Sequence, residues 1–355
     1  MERQRMKTKL IHVGKVSVGG GSPVSIQSMT KTDTRDTGAT LKQIRALARA
    51  GCEIIRVAVP DMDGAMALGA IKKGSPLPVI ADIHFDWRLA LEAVKQGVDG
   101  LRINPGNIGA RWKLKEVVLA LKDRNIPVRV GVNAGSLEKD LLAKYGRPSA
   151  QALVESALKK ISLLEGEGFE LIKVSLKASN VPTTVEAYRL FSKKSDYPLH
   201  IGISEAGPPS VGTVKSAVGL GVLLSEGIGD TMRVSLTGNP AGEVRVASQI
   251  LESLALRQPG VEIISCPTCG RTTIDIEKLA TMAEKKLRGL RLSRPLKVAV
   301  MGCVVNGPGE AKEADFGITG SKGTGMLFKR GKLLRTVKEE DLLKELIKEI
   351  NNWKP

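Results

Sequence analysis

Apolar runs rich in Val and Ile recur through most of the chain, at 24–29, 54–59, 79–84, 100–104, 128–133, 171–176, 199–204 and 232–236. Helical patterns such as 40–50, 87–96, 110–124, 149–165 and 242–254 lie between them. Short runs of this kind predict strands buried on both faces, and helical crossovers between them make the sheet parallel. About eight such units can close into a barrel, so the expected fold class is α/β, with a (β/α)8 TIM-like barrel. A doubly wound open sheet is the alternative. The barrel is favoured by where the polar residues fall: His84, Asn104, Asn133, Lys177, Glu205 and Ser235 each lie at or just past the C-terminal end of a strand. In a barrel those ends meet around one mouth. A short strand or hairpin over 9–18, ending in Gly19-Gly20-Gly21, precedes the first unit.

The rhythm breaks near Gln258-Pro259-Gly260, which predicts a substrate-binding barrel over 1–257 and a small α+β domain over 258–355. The second domain reads as apolar strands at 261–264 and 296–300, a helix over 274–288 and a Gly-rich stretch over 317–325. A hairpin over 326–337 turning at Arg330-Gly331 and an amphipathic helix over 339–351 complete it. Gly320-Ser321-Lys322-Gly323-Thr324-Gly325 lacks the Gly-x-x-x-x-Gly-Lys-Ser/Thr spacing of a phosphate loop, and no strong helical pattern follows it, so a turn is the better reading.

Three of the four cysteines sit in this second domain, in Cys266-Pro267-Thr268-Cys269-Gly270-Arg271-Thr272 and Gly302-Cys303-Val304-Val305-Asn306-Gly307-Pro308-Gly309-Glu310. Each motif follows an apolar run, so both cysteine turns should lie at the ends of neighbouring strands, where three thiolates can converge. Iron in an iron–sulfur cluster and zinc both accept such soft ligands and leave a fourth position to fill. Glu310 is the candidate fourth ligand, because Asn306-Gly307-Pro308-Gly309 is a tight turn able to return a carboxylate toward Cys303. A displaceable carboxylate would leave one iron open to a substrate oxygen. A Cys-Pro-Thr-Cys dithiol is the competing account, but a dithiol needs no third thiol, and zinc normally presents a second paired motif. Cys52, before a separate strand, reads as a small buried hydrophobe.

Arginines at Arg56, Arg102, Arg129 and Arg233 interrupt apolar strands. Within a parallel sheet each is costly unless its charge is met, either by an inward carboxylate such as Asp82 or Glu205 or by phosphate oxygens, which a guanidinium fork matches bidentately. One such arginine is explained by a salt bridge. Several on successive strands, joined by Lys177, Asn133 and Ser235, are better explained by a cradle for more than one phosphate. Lys173 and His84 are close alternatives, since a one-residue error in a strand would exchange which side chains face inward.

With 42% hydrophobic and 26% charged residues, the chain reads as soluble and globular. It shows neither a secretory signal nor an apolar run of membrane-spanning length, and four cysteines in 355 residues do not make a disulfide scaffold, so a reducing cytoplasm is expected and a membrane is not. The net charge of +17 admits nucleic acid, an acidic protein or a polyanionic small molecule. Nucleic acid is disfavoured: aromatic residues make up only 3%, leaving few stacking platforms, and no recognisable binding module is present. A nucleic-acid-binding barrel with structural zinc, and a dithiol oxidoreductase, remain the alternatives from other classes.

The two cysteine motifs resemble those of 4-hydroxy-3-methylbut-2-en-1-yl diphosphate synthase, the iron–sulfur enzyme of the non-mevalonate isoprenoid pathway. The likeness extends over nearly the whole chain: Gln27-Ser28-Met29-Thr30, Ala81-Asp82-Ile83-His84-Phe85, Leu101-Arg102-Ile103-Asn104-Pro105-Gly106-Asn107 and Gly202-Ile203-Ser204-Glu205-Ala206-Gly207 all match the family pattern. The resemblance implies a [4Fe–4S] cluster held by Cys266, Cys269, Cys303 and Glu310. It implies 2-C-methyl-D-erythritol 2,4-cyclodiphosphate as substrate, with Arg56, Arg102, Arg129, Asn133, Lys177, Arg233 and Ser235 as phosphate contacts and Glu205 as the acid. It also implies reduced flavodoxin or ferredoxin as electron donor, and a head-to-tail homodimer in which the cluster of one subunit caps the barrel of the other.

Overall fold

The apolar runs become strands that alternate their two faces. In the computed structural model, which describes residues 5–258, 260–272, 274–287, 290, 294–303, 312–321 and 323–353, the contacts divide the chain into two units, Met1–Leu256 and Arg257–Pro355.

The first unit opens with a hairpin, β1 (Ile11–Val13) and β2 (Val16–Val18). It continues as β3 (Ser25–Met29), α1 (Thr37–Arg49), β4 (Ile54–Ala58), α2 (Met62–Gly74), β5 (Val79–Asp82), α3 (Trp87–Lys95), β6 (Gly100–Ile103) and α4 (Arg111–Asp123). Then come β7 (Val128–Asn133), α5 (Lys139–Tyr145), α6 (Ala150–Glu165), β8 (Ile172–Lys177), α7 (Val181–Ser192), β9 (His200–Ile201), α8 (Pro209–Ser225), β10 (Thr231–Met232) and α9 (Pro240–Ser253). The strands pair in parallel in the order β8-β7-β6-β5-β4-β3-β10-β9, and a parallel bridge between Val174 and Leu199 joins the two ends. The sheet is therefore a closed ring, as a (β/α)8 barrel requires, and the doubly wound alternative is excluded.

Strand alternation sets the site. On β7, Val128, Val130 and Val132 pack outward into the core shared with the helices, while Arg129 and Asn133 face the barrel interior. The same division holds for Ile55 and Val57 around Arg56, Leu101 and Ile103 around Arg102, and Val174 and Leu176 around Ser175. Gly131 makes room inside, since a Cβ there would stand 3.0 Å from the Arg102 Nε. At the opposite end of the barrel, Ile11, Val13 and Val18 of the hairpin pack on Ile54 and Ile80 and plug it.

Helix starts are set by side-chain caps. Asp36, Asp61, Asp86, Ser149, Asn180 and Asn239 each accept a backbone N–H from the first turn of the helix that follows, contributing about 1 kcal/mol apiece. The Asp36 cap is why α1 begins at Thr37, ahead of its apolar pattern. The last two strands are shorter than their apolar runs. Just past Ile201 the chain runs so close to its neighbours that a Cβ on Gly202 would stand 2.6 Å from the Arg233 carbonyl and 2.7 Å from the Lys177 amine, so glycine is required there.

The second unit is a five-stranded sheet in the order β11 (Val261–Ser265), β12 (Leu296–Met301), β13 (Phe316–Ser321), β14 (Thr324–Lys329) and β15 (Lys332–Lys338). The first three strands are parallel and the last two are added antiparallel. Helices α10 (Ile276–Leu287) and α11 (Leu342–Asn351) bury Ala283, Leu287, Leu346 and Ile350 against it. Gly320 and Gly325, paired across β13 and β14, admit the side chains of Ile274 and Leu342, which would lie 2.2 and 2.4 Å from an added Cβ. The Gly-rich stretch thus serves sheet packing and a hairpin. Arg330 and Gly331 both take positive φ, 47° and 75°, the backbone a tight two-residue hairpin turn demands.

Candidate active site

The C-terminal ends of the barrel strands surround a cavity of about 570 Å³. Arg56 of β4, Arg102 of β6, Arg129 and Asn133 of β7, Lys177 of β8, and Arg233 and Ser235 after β10 all line it, as does Glu205. Asp82 of β5 and His84 just beyond it, together with Ser175, Ser136, Ser179 and Ser204, complete the wall. Asn104 instead caps the turn after β6, accepting the backbone N–H of Gly106 at 3.2 Å. Lys173 does not line the cavity and lies inside the barrel, 2% exposed.

Positive charge dominates the mouth. Asp82 is shared: its Oδ1 lies 3.2 Å from Arg102 Nη1, and its Oδ2 lies 3.6 Å from Arg56 Nε and 3.7 Å from His84 Nε2. Burial alone would raise the Asp82 carboxyl, but Arg56, the His84 hydrogen bond, Arg102 and Arg129 together hold it well below the usual carboxylate range. Glu243 of α9 reaches in from behind, 3.4 Å from Arg233 Nη2 and 3.1 Å from Lys31 Nζ. Arg56 also donates to the Met29 sulfur, from Nη2 at 2.9 Å.

These partners do not satisfy the cations. Among the described residues, Arg129 Nε and Nη1, Arg102 Nε and Arg233 Nε are buried without a hydrogen-bond acceptor. Burial, then the neighbouring guanidiniums of Arg56 and Arg102, push Arg129 well below its ordinary value; burial, then Arg129 and Arg233, do the same to Lys177. Burial also lowers Arg56 to about 10, with Asp82 opposing the shift and Arg233 and Arg102 adding to it. An arginine stays charged in a protein, so guanidiniums buried and crowded in this way favour an anion beside them. Forked donors aimed into a roomy cavity at a barrel mouth suit a ligand with more than one phosphate.

Glu205 stands at the rim in the turn between β9 and α8 with a φ of 52°, a left-handed conformation that non-glycine residues seldom take, and Gly207 follows at 108°. Such backbone strain persists where surrounding contacts enforce it, and it gathers at functional positions. Here the Ser204 N–H donates to the Ala178 carbonyl at 3.1 Å and the Gly207 carbonyl accepts the backbone N–H of Thr237 at 3.1 Å, so the turn is held on both sides of Glu205.

The cysteine turns occupy one end of the second sheet. Cys266 directly follows β11 and Cys303 lies just past β12, its parallel neighbour, with Ser265 in register with Val300. The Gly302 N–H donates to Cys266 Sγ at 3.3 Å. A Cβ on Gly302 would stand 2.8 Å from the Thr272 side chain, so the Cys266–Cys269 turn packs directly on the residue before Cys303. Within that turn the Thr272 N–H donates to the Cys269 carbonyl at 2.9 Å. None of the three thiols is in a disulfide, and they are donors of the soft kind an iron–sulfur centre takes, but among the described residues no three metal-ligating side chains are gathered closely enough to hold an ion. Glu310 lies outside the described residues. Cys52 sits in the other unit, donating to the Ile54 carbonyl at 3.1 Å, with burial pushing its thiol up to about 12, so it carries no thiolate to offer.

Sequence reasoning missed Ser175 and Ser204, and it did not single out Met29, Lys31 or Glu243 as supports. Ser175 was within reach, because it lies two residues before Lys177 on the same strand face. Glu243 was not, since it arrives from a helix whose own pattern marks it only as a polar residue of the first turn.

Comparisons with known proteins agree with this architecture. Residues 8–248 match the GcpE TIM-barrel domain, and residues 262–352 match the GcpE protein C-terminal domain. The 4-hydroxy-3-methylbut-2-en-1-yl diphosphate synthase (flavodoxin) of Thermodesulfovibrio yellowstonii is 62% identical over 98% of this chain and 99% of its own. The enzyme of the same name from Geobacter sulfurreducens is 61% identical over 98% of each. Among solved structures, Yersinia pestis dihydropteroate synthase shares the barrel fold at 10% identity, with a TM-score of 0.50 over 71% of this chain and 100% of its own. Matched along both of its domains, the chain belongs to the GcpE family.

Proposed function

We propose that the barrel mouth binds 2-C-methyl-D-erythritol 2,4-cyclodiphosphate and that the cysteine-bearing domain, 258–355, delivers electrons to it. The protein is an oxidoreductase of isoprenoid biosynthesis that opens and dehydrates this ring to (E)-4-hydroxy-3-methylbut-2-enyl diphosphate. The reaction takes two electrons and one proton and releases one water. The observation that carries the site assignment is the set of buried guanidinium N–H groups left without acceptors around a phosphate-sized cavity.

Arg56, Arg102, Arg129, Arg233 and Lys177, with Asn133 and Ser235, hold the two phosphates and fix the ring's orientation. As the ring C–O bond breaks, the departing diphosphate oxygen gains charge, and preformed cations in a half-buried site stabilise it most at that moment. Glu205 holds the proton that the leaving hydroxyl takes up as water. A [4Fe–4S] cluster bound by Cys266, Cys269, Cys303 and Glu310 would supply the two electrons one at a time. Reduced flavodoxin is the donor that the relatives' name indicates, and ferredoxin is a chemically equivalent carrier. No described helix is long and apolar enough to cross a membrane. The cytoplasm suits the proposed reaction, because its reducing conditions would keep the three cysteines available.

Anaerobic protein carrying about four irons with matching sulfide, and converting the cyclodiphosphate with reduced flavodoxin, is the expected outcome. Stoichiometric zinc and no turnover would overturn the electron-transfer assignment. The active assembly is a head-to-tail homodimer in which one subunit's cluster serves the other's barrel. Mixing Glu205→Gln subunits with Cys266→Ser subunits under exchange should then restore about a quarter of wild-type activity, because half the dimers are mixed and each has one intact composite site. No recovery would place both halves of the site in one chain.

A further inference from the structure

Below the mouth the barrel holds a second layer of polar side chains that the mechanism does not use. Lys173 of β8 points the same way as Ser175 and Lys177, which line the cavity, and stands in register with Arg129. Across the interior are Gln27 and His200, both no more than 1% exposed. His200 Nδ1 meets Thr231 Oγ1 at 2.7 Å. Among the described residues, His200 Nε2, both polar atoms of the Gln27 amide and Lys173 Nζ have no hydrogen-bond partner.

An ammonium carries three donors and needs acceptors or a nearby negative charge. Lys173 has little of either. Arg129 faces it from β7 and Arg56 from β4, Lys177 lies on its own strand, and His200 faces the same group of cations from β9. The inward Ile80 and Gly100 of β5 and β6 carry no charge. Among the described residues only Asp230, just before β10, attracts it, and that carboxylate is already occupied by Arg5, Thr8 and the Leu199 N–H.

We propose that Lys173 is a positioning residue whose charged form is completed by the anion bound in the mouth, so that substrate binding draws one proton onto its amine. The inference rests on the reading of the mouth as the cyclodiphosphate site. With the mouth empty, burial first and Arg129 next bring the Lys173 amine down to about 7. A cyclic diphosphate brings one negative oxygen on each phosphorus and offsets the field of Arg129, the register neighbour of Lys173. Ring opening leaves a diphosphate monoester, whose terminal phosphate ionises a second time near pH 6, so the product demands the same ammonium even more strongly. Since the bound pKa lies above the free one, affinity is greatest below about pH 7 and falls as pH rises, by up to tenfold per unit.

Calorimetry of cyclodiphosphate binding to the anaerobic holoenzyme, without an electron donor and in buffers of different ionisation enthalpy, counts the protons taken up. At about pH 8 the wild type should take up close to one proton per site through Lys173, beside any that Lys177 gains from the same anion. Lys173→Met should bind with the uptake lowered by about one proton. Lys173→Arg, permanently charged, should show the same loss of about one proton and a shallower decline of affinity with pH. Undiminished uptake in either variant, or binding without uptake in the wild type, would overturn the inference alone. Absence of any binding heat in the wild type would overturn the site assignment and this inference with it.

Discussion

At the barrel mouth Arg102, Arg129 and Lys177 are buried and fixed by strand register, and the arginines there already share Asp82, Glu243 and Met29. At the cysteine end of the second sheet, Cys269 is exposed, and the visible support of Cys266 is a backbone N–H from Gly302. The mouth is preorganised by the protein for an anion. The cysteine turns are brought near one another by two parallel strands, and on the proposed reading a bound metal centre would tie them into a rigid unit, because soft thiolates gain their stability from iron and not from neighbouring side chains. A protein can thus prepare a charged pocket in advance while leaving a redox centre to be completed by its cofactor.

Removing a thiol should give the largest effect, since it leaves the cluster incomplete. Cys266→Ser or Cys303→Ser is expected to lose turnover by more than about a thousandfold and to drop iron and sulfide content, while calorimetry still detects cyclodiphosphate binding at the barrel. Loss of binding as well would mean the two regions are not separable. Glu205→Gln should keep iron content and affinity and lower kcat by about a hundred- to a thousandfold, the range of a lost acid. Near-normal turnover in that variant would remove Glu205 from the mechanism.

Arg129→Met should weaken cyclodiphosphate binding by about ten- to a hundredfold, the scale of one charge-assisted contact, with the cluster spectrum unchanged. Asp82 sharpens the comparison through pH. Its carboxyl is held down in the folded state, so the stability it contributes is present above the unfolded value near 4 and is lost as pH falls toward the lower folded value. Urea midpoints followed by the fluorescence of Trp87 and Trp112 should therefore fall on acidification in the wild type, and fall less steeply in Asp82→Asn. The smallest effect is expected at Cys52: Cys52→Ala should leave iron content and turnover unchanged, because that thiol is a buried packing group.

Much of this was legible in residue order alone. The apolar period gave away the parallel strands, the polar residues at their ends marked the mouth, and the cysteine spacing marked the candidate metal ligands. Each of those signals is local: a strand's alternation and a motif's spacing are properties of a few consecutive residues. The register that sets Arg102 beside Arg129 and Arg129 beside Lys173 is not local, since it depends on how separate strands align. Nor is the service of Asp82 to Arg56, Arg102 and His84 together, or the arrival of Glu243 from α9 behind Arg233. Burial and charge crowding, which make Arg129 hungry for an anion and leave Lys173 poised, arise only when the ring closes. Residue types alone name the chemistry available; the closed barrel determines which of those charges meet a partner and which are left for a ligand.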